Sequence, residues 1–473
     1  MTRPLSLPLL CRPARDRREP LAVQVYRDLL AAVRDGRLAD GATLPSSRAA
    51  ADELGLSRST INTAYDLLRA EGVIAIRRGA VPRVVGPALV PRKPAVPVPR
   101  AVSNRGERLS RTPRATATPE TGIMAPGEPD EALFPADEWA RALRRAARRS
   151  HGAVASYADP WGVPALRRIL AHRLQVDRGI AATPDRILIT TGTQSSLALA
   201  AQVLTDTGDV AALEDPGYLG ARVAFQGAGL TPAPIPVDAE GAIPDAVPRD
   251  ARLIYLTPSN QYPTGARLSH ARRAALLQHA RDTGALILED DYDSEFLWRG
   301  REIAALSASA QGGETIYLGT AAKVLMPALR IGWMVVPPDL VAPFRVAQRN
   351  LGLMANLHAQ IALAEMMETG RYRAQLKRIA RTYEARGHAL AEALSSVKGL
   401  SVRPPDGGVQ LTARFGNGRS EASTLAALAA QGFRPARLSA YCLNADRTGL
   451  VIGFADATPK RIETFVRVLS AVQ

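Results

Sequence analysis

The most distinctive side chain for chemistry is a lysine in an apolar segment. The chain has five lysines among its 60 basic residues, and one of them, Lys323, lies in TIYLGTAAKVLMPALRIGWMVV. In a chain so rich in arginine, a lysine is required where its amine must lose a proton and form a Schiff base, because a guanidinium group stays charged. The position indicates such a lysine; the alternative is a surface lysine whose stem covers apolar neighbours.

Two further polar side chains follow the apolar run ALILEDDYD. Asp290 and Tyr292 are two residues apart, so on a strand both would project from one face at its carboxyl end. A carboxylate there can keep a pyridine nitrogen protonated, and a phenol can hydrogen-bond a ring hydroxyl. The alternative is a charge cluster that faces a loop.

A third segment, RILITTGTQSSLALAAQVL, reads as a strand, a glycine turn and a helix. Gly192, Thr193 and Gln194 lie at the start of this predicted helix. Backbone N–H groups at a helix N-terminus can bind a phosphate group. The alternative is an ordinary structural turn, which has the same pattern.

The elements that must position these residues alternate along the chain. From Gly122 onward, short apolar strands such as VAALEDPG and LIYLTPS are separated by helical stretches. This order predicts an α/β domain with a mostly parallel sheet covered on both faces.

The N-terminal region has a different pattern. A first helix has Val25, Leu29, Ala32 and Val33 on one face. Ser46 or Ser47 can cap a helix that ends at Leu54, and after a Gly55-Leu56 turn Ser57 can cap another that reaches about Ala70. We interpret this segment as a helix-turn-helix.

The second helix of this motif has an inner and an outer face. Its apolar residues are Ile61, Ala64, Tyr65 and Leu68, and its outward residues are Arg58, Ser59, Thr60, Asn62 and Thr63. Short hydrogen-bond donors and an arginine suit a DNA major groove. Two short strands, VIAIRRG and RVV, predict a wing whose arginines reach the DNA backbone or minor groove. A small helical interaction domain is the alternative.

Residues 20–86 resemble the N-terminal domain of the GntR superfamily in their LPSSR, LGLSRST and AYDLLRAEG segments. The resemblance implies that Arg48, Arg58, Thr60 and Gly79 contact DNA, and the predicted DNA-binding residues are Arg48, Ser57, Arg58, Ser59, Thr60, Asn62, Arg77, Arg78 and Gly79. The wing departs from the family's GSGT pattern, and Pro82 cannot donate a ladder hydrogen bond, which shortens the wing or shifts contacts to Arg83.

Residues 122–473 resemble the fold-type I aminotransferases. The motifs are TTGTQSSL, DPGY, TPSNQYPTG, EDDYDSEF and GTAAKVLMPALRIGW, in family order. The resemblance implies pyridoxal 5′-phosphate as cofactor, with Lys323 as its Schiff-base lysine. It also implies Asp290 at the pyridine nitrogen, Tyr292 at O3′ and Tyr218 stacked on the ring. The remaining cofactor-binding residues that it implies are Gly192, Thr193, Gln194, Asn260, Thr320 and Arg330.

The order of these two regions in one chain resembles the domain organisation of the MocR/PdxR-like subfamily of GntR regulators. The segment ALFPADEW also resembles the sequence of that subfamily. The resemblance implies a homodimeric transcription regulator that binds operator DNA and senses pyridoxal phosphate or an amine or amino-acid effector. Three positions depart from the relatives: Asn260 replaces a histidine, Tyr262 replaces an asparagine, and Ala322 replaces a serine.

A complete transaminase needs an arginine for the substrate carboxylate near the C-terminus. That arginine is expected at position 450, where this chain has a leucine, Leu450. Arg434, Arg437 or Arg447 could take its place. The leading hypothesis is therefore a regulator. The alternatives are an active aminotransferase fused to a DNA-binding domain and a dimeric scaffold with an empty pocket.

The domain organisation follows from composition. We predict a winged helix-turn-helix at 20–86, a semi-extended Pro/Arg-rich linker without helical or strand periodicity at 87–120, and an aminotransferase-like domain at 121–473 that includes a smaller C-terminal α+β subdomain. Residues 1–120 contain 21 Lys and Arg against 11 Asp and Glu, so +10 of the net charge of +15 lies there. Such a basic region favours DNA; an arginine-rich genome is the other explanation.

Cysteine and hydropathy patterns limit the class further. Cys11 and Cys442 show no pairing or metal-binding spacing, which fits a reducing compartment and predicts no metal. No segment reaches the roughly 18 apolar residues of a membrane span. We therefore expect a soluble cytoplasmic protein.

Overall fold

The computed structural model forms two compact units, Met1–Ala101 and Val102–Gln473. The residues that it describes are 6–77, 80–85, 102–110, 122–149, 161–296, 298, 304–311, 313–416 and 418–472. Of the helices in this part of the chain, none is both long and apolar enough to cross a membrane.

The smaller unit is a winged helix-turn-helix, as predicted. Its elements are α1 (Leu21–Arg34), α2 (Ser47–Leu54), α3 (Arg58–Ala70), β1 (Ile74–Ala75) and β2 (Arg83–Val84). The Ser46 and Ser57 hydroxyls accept hydrogen bonds from Ala49 N (3.2 Å) and Thr60 N (3.1 Å), which caps α2 and α3. The left-handed φ of Gly55, +63°, ends α2 and makes the turn.

The smaller unit also includes residues before the predicted boundary at 20. Leu7 and Cys11 are buried in the core that α1, α2 and α3 form. Gln24, itself buried, donates to the carbonyl oxygens of Ala14 (3.0 Å) and Glu19 (2.7 Å), which ties this segment to α1. The Pro-interrupted segment has no helical or strand periodicity, so the sequence pattern did not reveal this packing.

The larger unit alternates helices and strands. Its helices are α4 (Asn104–Ser110), α5 (Ala136–Arg149), α6 (Pro164–Arg178), α7 (Thr193–Leu204), α8 (Leu219–Ala228), α9 (His270–Thr283), α10 (Val341–Asn350), α11 (Leu357–Glu368), α12 (Arg371–Ser395), α13 (Glu421–Ala430) and α14 (Pro459–Ala471). Its strands are β3 (Ile187–Thr190), β4 (Val210–Asp215), β5 (Thr231–Asp238), β6 (Gly241–Ala242), β7 (Ala251–Leu256), β8 (Leu286–Asp290), β9 (Thr315–Thr320), β10 (Gly332–Val335), β11 (Leu400–Val402), β12 (Gln410–Phe415), β13 (Ala436–Arg437) and β14 (Gly449–Gly453).

Eight of these strands form one mixed sheet in the order β3-β10-β9-β8-β7-β4-β5-β6. The neighbours from β9 to β5 are parallel, whereas β10 is antiparallel to both β3 and β9. Strands β3, β8 and β9 therefore point the same way, and their carboxyl ends share one edge of the sheet. Apolar clusters cover both faces, which confirms the α/β prediction.

A smaller antiparallel sheet, in the order β11-β12-β14-β13, follows near the C-terminus. It confirms the predicted α+β subdomain, which includes α13 and α14. Strand β12 pairs with β14 from Gln410 opposite Gly453 to Arg414 opposite Gly449. This register fixes Gln410 at the first position of β12.

Part of the range 87–120, which we predicted as a semi-extended linker, is helical. Helix α4, Asn104–Ser110, lies inside that range and belongs to the larger unit. A Cβ atom on Gly227 of α8 would come within 2.7 Å of the Leu109 side chain, so the two helices are in close contact. Residues 86–101 and 111–121 lie outside the described part of the chain.

Candidate functional site

The predicted lysine lies just beyond the carboxyl end of β9. Its Nζ donates a hydrogen bond to the carbonyl oxygen of Gly127, from the segment before α5. Burial lowers the pKa of Lys323, while the carboxylates of Asp293, Asp290 and Glu128 oppose this change. The amine is therefore more readily neutral than an exposed one, as a nucleophile requires.

The predicted carboxylate lies at the end of β8 and is buried. The Tyr255 hydroxyl donates to Asp290 Oδ2 at 2.7 Å, whereas Oδ1 has no partner among the described residues. Burial raises the pKa of Asp290 to about 7, against the Tyr255 hydrogen bond. A buried carboxylate oxygen without a donor is costly, so the site favours a ligand that brings one.

Tyr292 reaches the same cavity, although β8 ends before it. Its hydroxyl donates to the carbonyl oxygen of Asn260 at 3.1 Å and accepts from Gln410 Nε2 at 3.0 Å. The side-chain amide of Asn260 donates to Asp293 Oδ2 at 2.8 Å. The same amide makes a long contact of 3.5 Å with the Tyr292 hydroxyl, and Asn260 is not among the residues that line the cavity.

The start of α7 also lines the cavity. Gly192 precedes this helix with a φ of +115°, and a Cβ atom built on it would meet nothing within 4 Å. No side chain caps this helix. Thr320, at the end of β9, and Arg330, with a φ of +53°, line the same cavity. Helix N-terminus, hydroxyl and guanidinium together suit an anion.

One cavity of about 250 Å³ therefore joins nine of the ten predicted cofactor residues. They are Gly192, Thr193, Gln194, Tyr218, Asp290, Tyr292, Thr320, Lys323 and Arg330. Because β3, β8 and β9 end at the same edge of the sheet, segments far apart in the chain meet there. The tenth, Asn260, supports Tyr292 from outside.

The sequence reasoning missed several lining residues. Tyr262 lies at the centre of an aromatic group, with ring centroids 5.7 Å from Tyr218, 5.8 Å from Tyr292 and 5.4 Å from Tyr441. Tyr255, Tyr441 and Gln410 also line the cavity. For Tyr262, the sequence offered one indication, because this tyrosine replaces the asparagine of related aminotransferases. Gln410 and Tyr441 come from the C-terminal subdomain, and no local sequence pattern marks them as cavity residues.

A buried ion pair stands beside this site. Arg178 Nε lies 2.8 Å from Asp291 Oδ2, and the exposed fractions of the two side chains are 7% and 0%. The Tyr317 hydroxyl donates to the same carboxylate oxygen at 2.7 Å. Asp291 separates Asp290 from Tyr292 in the chain, so this pair holds the segment that carries both.

The arginines considered for a substrate carboxylate are elsewhere. Leu450 is fully buried on β14. Arg434 donates to the Phe433 and Ala429 carbonyl oxygens, Arg447 donates to the Val237 carbonyl oxygen, and Arg437 is exposed. None of the three arginines lines the cavity.

The helix-turn-helix presents most of its predicted contacts to solvent. Arg48, Arg58, Ser59, Asn62 and Arg77 are exposed. Ser57 and Thr60 hydrogen-bond each other at 2.7 Å between their hydroxyl oxygens, so both contribute to the cap of α3. Strands β1 and β2 have two residues each, consistent with a short wing. Arg78 and Gly79 lie outside the described residues.

The comparison with solved structures shows the fold of the larger unit. The α-aminoadipate aminotransferase LysN of Thermus thermophilus superposes with a TM-score of 0.71 at 26% identity, over 78% of this chain and 96% of that one. Residues 124–469 match the model of aminotransferase class I and II. The larger unit is thus an aminotransferase-like domain, of a family that depends on pyridoxal phosphate.

Residues 21–84 match the gntR family of bacterial regulatory proteins. The chain is 35% identical to the probable rhizopine catabolism regulatory protein MocR of Rhizobium meliloti, over 96% of this chain and 94% of the relative. It is 30% identical to the pyridoxine biosynthesis regulator PdxR of Corynebacterium glutamicum, over 95% and 94%. The chain belongs to the MocR-like GntR regulators and is a DNA-binding transcription regulator.

Proposed function

We propose that this regulator binds pyridoxal 5′-phosphate in the 250 Å³ cavity, with Lys323 as its covalent attachment point. The observation that supports this most directly is the buried, unpartnered Oδ1 of Asp290 in the cavity that Lys323 lines. A protonated pyridine nitrogen is the kind of donor that this oxygen lacks. The start of α7, which lines the cavity and is not capped by a side chain, would be the complementary anion site for the phosphate.

The residues that line the cavity suit each chemical group of the cofactor. Thr193, Gln194, Thr320 and Arg330 would hold the phosphate, Tyr218 would cover the ring face, and Tyr292 would hydrogen-bond the ring hydroxyl. When bound, the cofactor supplies an electrophilic carbonyl carbon and an electron-withdrawing ring. Lys323 presents an amine whose pKa burial lowers, and Asp290 holds the ring proton; the Arg178–Asp291 pair keeps Asp290 and Tyr292 in place.

We further propose that an amine or amino-acid effector in this cavity changes how the DNA-binding unit engages its operator. The absence of an arginine from the C-terminal subdomain among the described lining residues favours this regulatory role over steady transamination. A ligand can shift the regulator only by its differential affinity for two states.

Operator recognition is assigned to the exposed face of α3. Arg58, Ser59 and Asn62 would reach base edges in the major groove, while Arg48 and Arg77 would contact phosphates. We propose a homodimer on the operator, since a two-fold protein matches two half-sites about one helical turn apart.

The test is an absorbance titration of the full chain with pyridoxal phosphate. Wild type should gain a visible band that resists dialysis, and Lys323→Ala should lose it. Lys377→Ala, which removes an exposed lysine on α12, is the matched control and should keep the band. A dialysis-resistant band in Lys323→Ala would refute the assignment.

The same samples separate regulator from enzyme. With a panel of amines and amino acids, a regulator should bind its effector and change operator affinity without continuous keto-acid release. Steady release of keto acid would establish the aminotransferase alternative instead.

A further inference from the structure

We infer that the effector of this regulator is a primary amine that carries hydroxyl groups and no carboxylate. The inference rests on the proposed cofactor site, since the cofactor would use Lys323, Asp290 and the α7 end of the cavity. It concerns another wall of the same cavity, formed by Tyr262, Gln410 and Tyr441, which we call the effector wall.

Gln410 has an unused hydrogen-bond acceptor on this wall. The residue is 6% exposed, and its Nε2 donates to the Tyr292 hydroxyl at 3.0 Å. Its Oε1 is buried and has no partner among the described residues. An amide oxygen only accepts, so the group that satisfies it must be a donor, as a hydroxyl is and a carboxylate is not.

Tyr441 supplies the complementary donor. It is 6% exposed, and its hydroxyl oxygen accepts from the Tyr262 hydroxyl at 3.2 Å. Its own O–H hydrogen can therefore be donated to a ligand. An acceptor on Gln410 and a donor on Tyr441 suit a ligand with alcohol groups, each of which can donate and accept.

Among the described residues, the charges near the wall disfavour a carboxylate. Lys323 and Arg330 are the positively charged residues among the described lining residues, and both are assigned to the cofactor. A second cavity, of about 360 Å³, adjoins Lys323 on the α6 side, but there Arg178 is paired with Asp291 and Arg173 with Glu295. Its remaining arginine, Arg373, is exposed on α12. A carboxylate at the effector wall would be desolvated without a counter-ion, at a large cost in free energy.

Three small amines test this directly, because they share an amine on a branched three-carbon frame. The first is 2-amino-1,3-propanediol. The second is serine, in which a carboxylate replaces one hydroxymethyl group of the propanediol. The third is 2-aminopropane, which has no hydroxyl group. Each is titrated into the cofactor-loaded full chain, and the spectral shift and operator affinity are recorded. We expect the half-saturating concentration of the propanediol to be at least about tenfold below those of the other two.

Two variants assign the preference to the wall. Gln410→Met removes the acceptor at similar volume, and Tyr441→Phe removes the donor while keeping the ring. Each should bring the half-saturating concentration of the propanediol to within about threefold of that of 2-aminopropane in the same variant. Comparing the two ligands within one variant cancels any change in cofactor loading.

The outcomes distinguish this inference from the proposed function. A cofactor band with equal or better response to serine or 2-aminopropane overturns the effector class alone. A preference that persists in both variants overturns the assignment to Gln410 and Tyr441. Absence of any dialysis-resistant band in wild type overturns the proposed function on which the inference rests.

Discussion

Removal of Arg178 should destabilise the larger unit strongly, because the buried carboxylate of Asp291 would lose its cationic partner. Arg178→Met leaves Asp291, with a side chain 0% exposed, without its cationic partner, although the Tyr317 hydroxyl still donates to it. It also removes the 2.7 Å hydrogen bond from Arg178 to the Ser259 hydroxyl. Breaking a buried ion pair by removing one partner costs about 3–5 kcal/mol. That is a large part of a typical free energy of unfolding of about 5–15 kcal/mol.

A double-mutant cycle measures the coupling behind this cost. Arg178→Met combined with Asp291→Leu removes both charges, so the double variant should recover at least about 2 kcal/mol relative to the sum of the single variants. Urea unfolding is followed by tryptophan fluorescence. All four tryptophans, Trp139, Trp161, Trp298 and Trp333, lie in the larger unit, so the signal reports this unit alone.

The control is an exposed ion pair of the same type. Arg141 and Glu138 of α5 lie 3.3 Å apart with side chains 47% and 41% exposed, and Arg141→Met should change neither the fluorescence transition nor the cofactor band. Arg178→Met should also weaken retention of pyridoxal phosphate, since the pair holds the segment from Asp290 to Tyr292. Strictly additive single-variant effects, or an Arg178→Met protein as stable as wild type, would refute the reasoning.

Three other perturbations test separate parts of the structure. Arg58→Ala should weaken operator binding by about 1–3 kcal/mol if Arg58 reads a base, as measured by fluorescence anisotropy against the Arg69→Ala control on the same helix; equal loss in both would mean that α3 contributes only general charge. Leu7→Ala should destabilise the smaller unit by about 2–4 kcal/mol because Leu7 is fully buried. The variant should therefore lose operator binding at a lower temperature than wild type. An unchanged temperature would show that the N-terminal segment does not stabilise the unit. Asp290→Asn should stabilise the cofactor-free protein, and the effect should grow as pH rises from about 4 to 7. Burial raises the pKa of Asp290 in the folded state to about 7 from an ordinary value of 3.8, so the folded state binds more protons than the unfolded state in that pH range. The stability of the wild type therefore falls as pH rises, whereas asparagine does not titrate. Between about pH 5 and about pH 8, the difference in free energy of unfolding between Asp290→Asn and wild type should grow by about 2–3 kcal/mol, as measured by urea unfolding. A difference that does not change with pH would contradict the raised pKa.

Local sequence patterns were sufficient for most of the elements and for nine of the residues that line the cavity. Ser46, Gly55 and Ser57 are capping and turn residues whose preferences act within a few positions, so the helix-turn-helix limits could be read directly. Lys323 and Asp290 stand at the ends of apolar strands, and parallel strands bring such ends together. The same local reasoning failed for residues 6–19 and for α4, where contacts with distant segments rather than periodicity determine the structure.

The sequence by itself determined the two-unit organisation, the α/β class and the helix-turn-helix, and it predicted a lysine and a carboxylate that the structure brings into one cavity, because each has a residue type or period that few other structures require. Only the tertiary structure decided that Asn260 supports Tyr292 from outside the cavity, that Arg178 neutralises Asp291, and that Gln410 and Tyr441 join Tyr262 in one wall. The Tyr262–Tyr441 contact in this wall links residues 179 positions apart. Such relationships depend on strand order and on the register of β12 with β14, which no local pattern specifies.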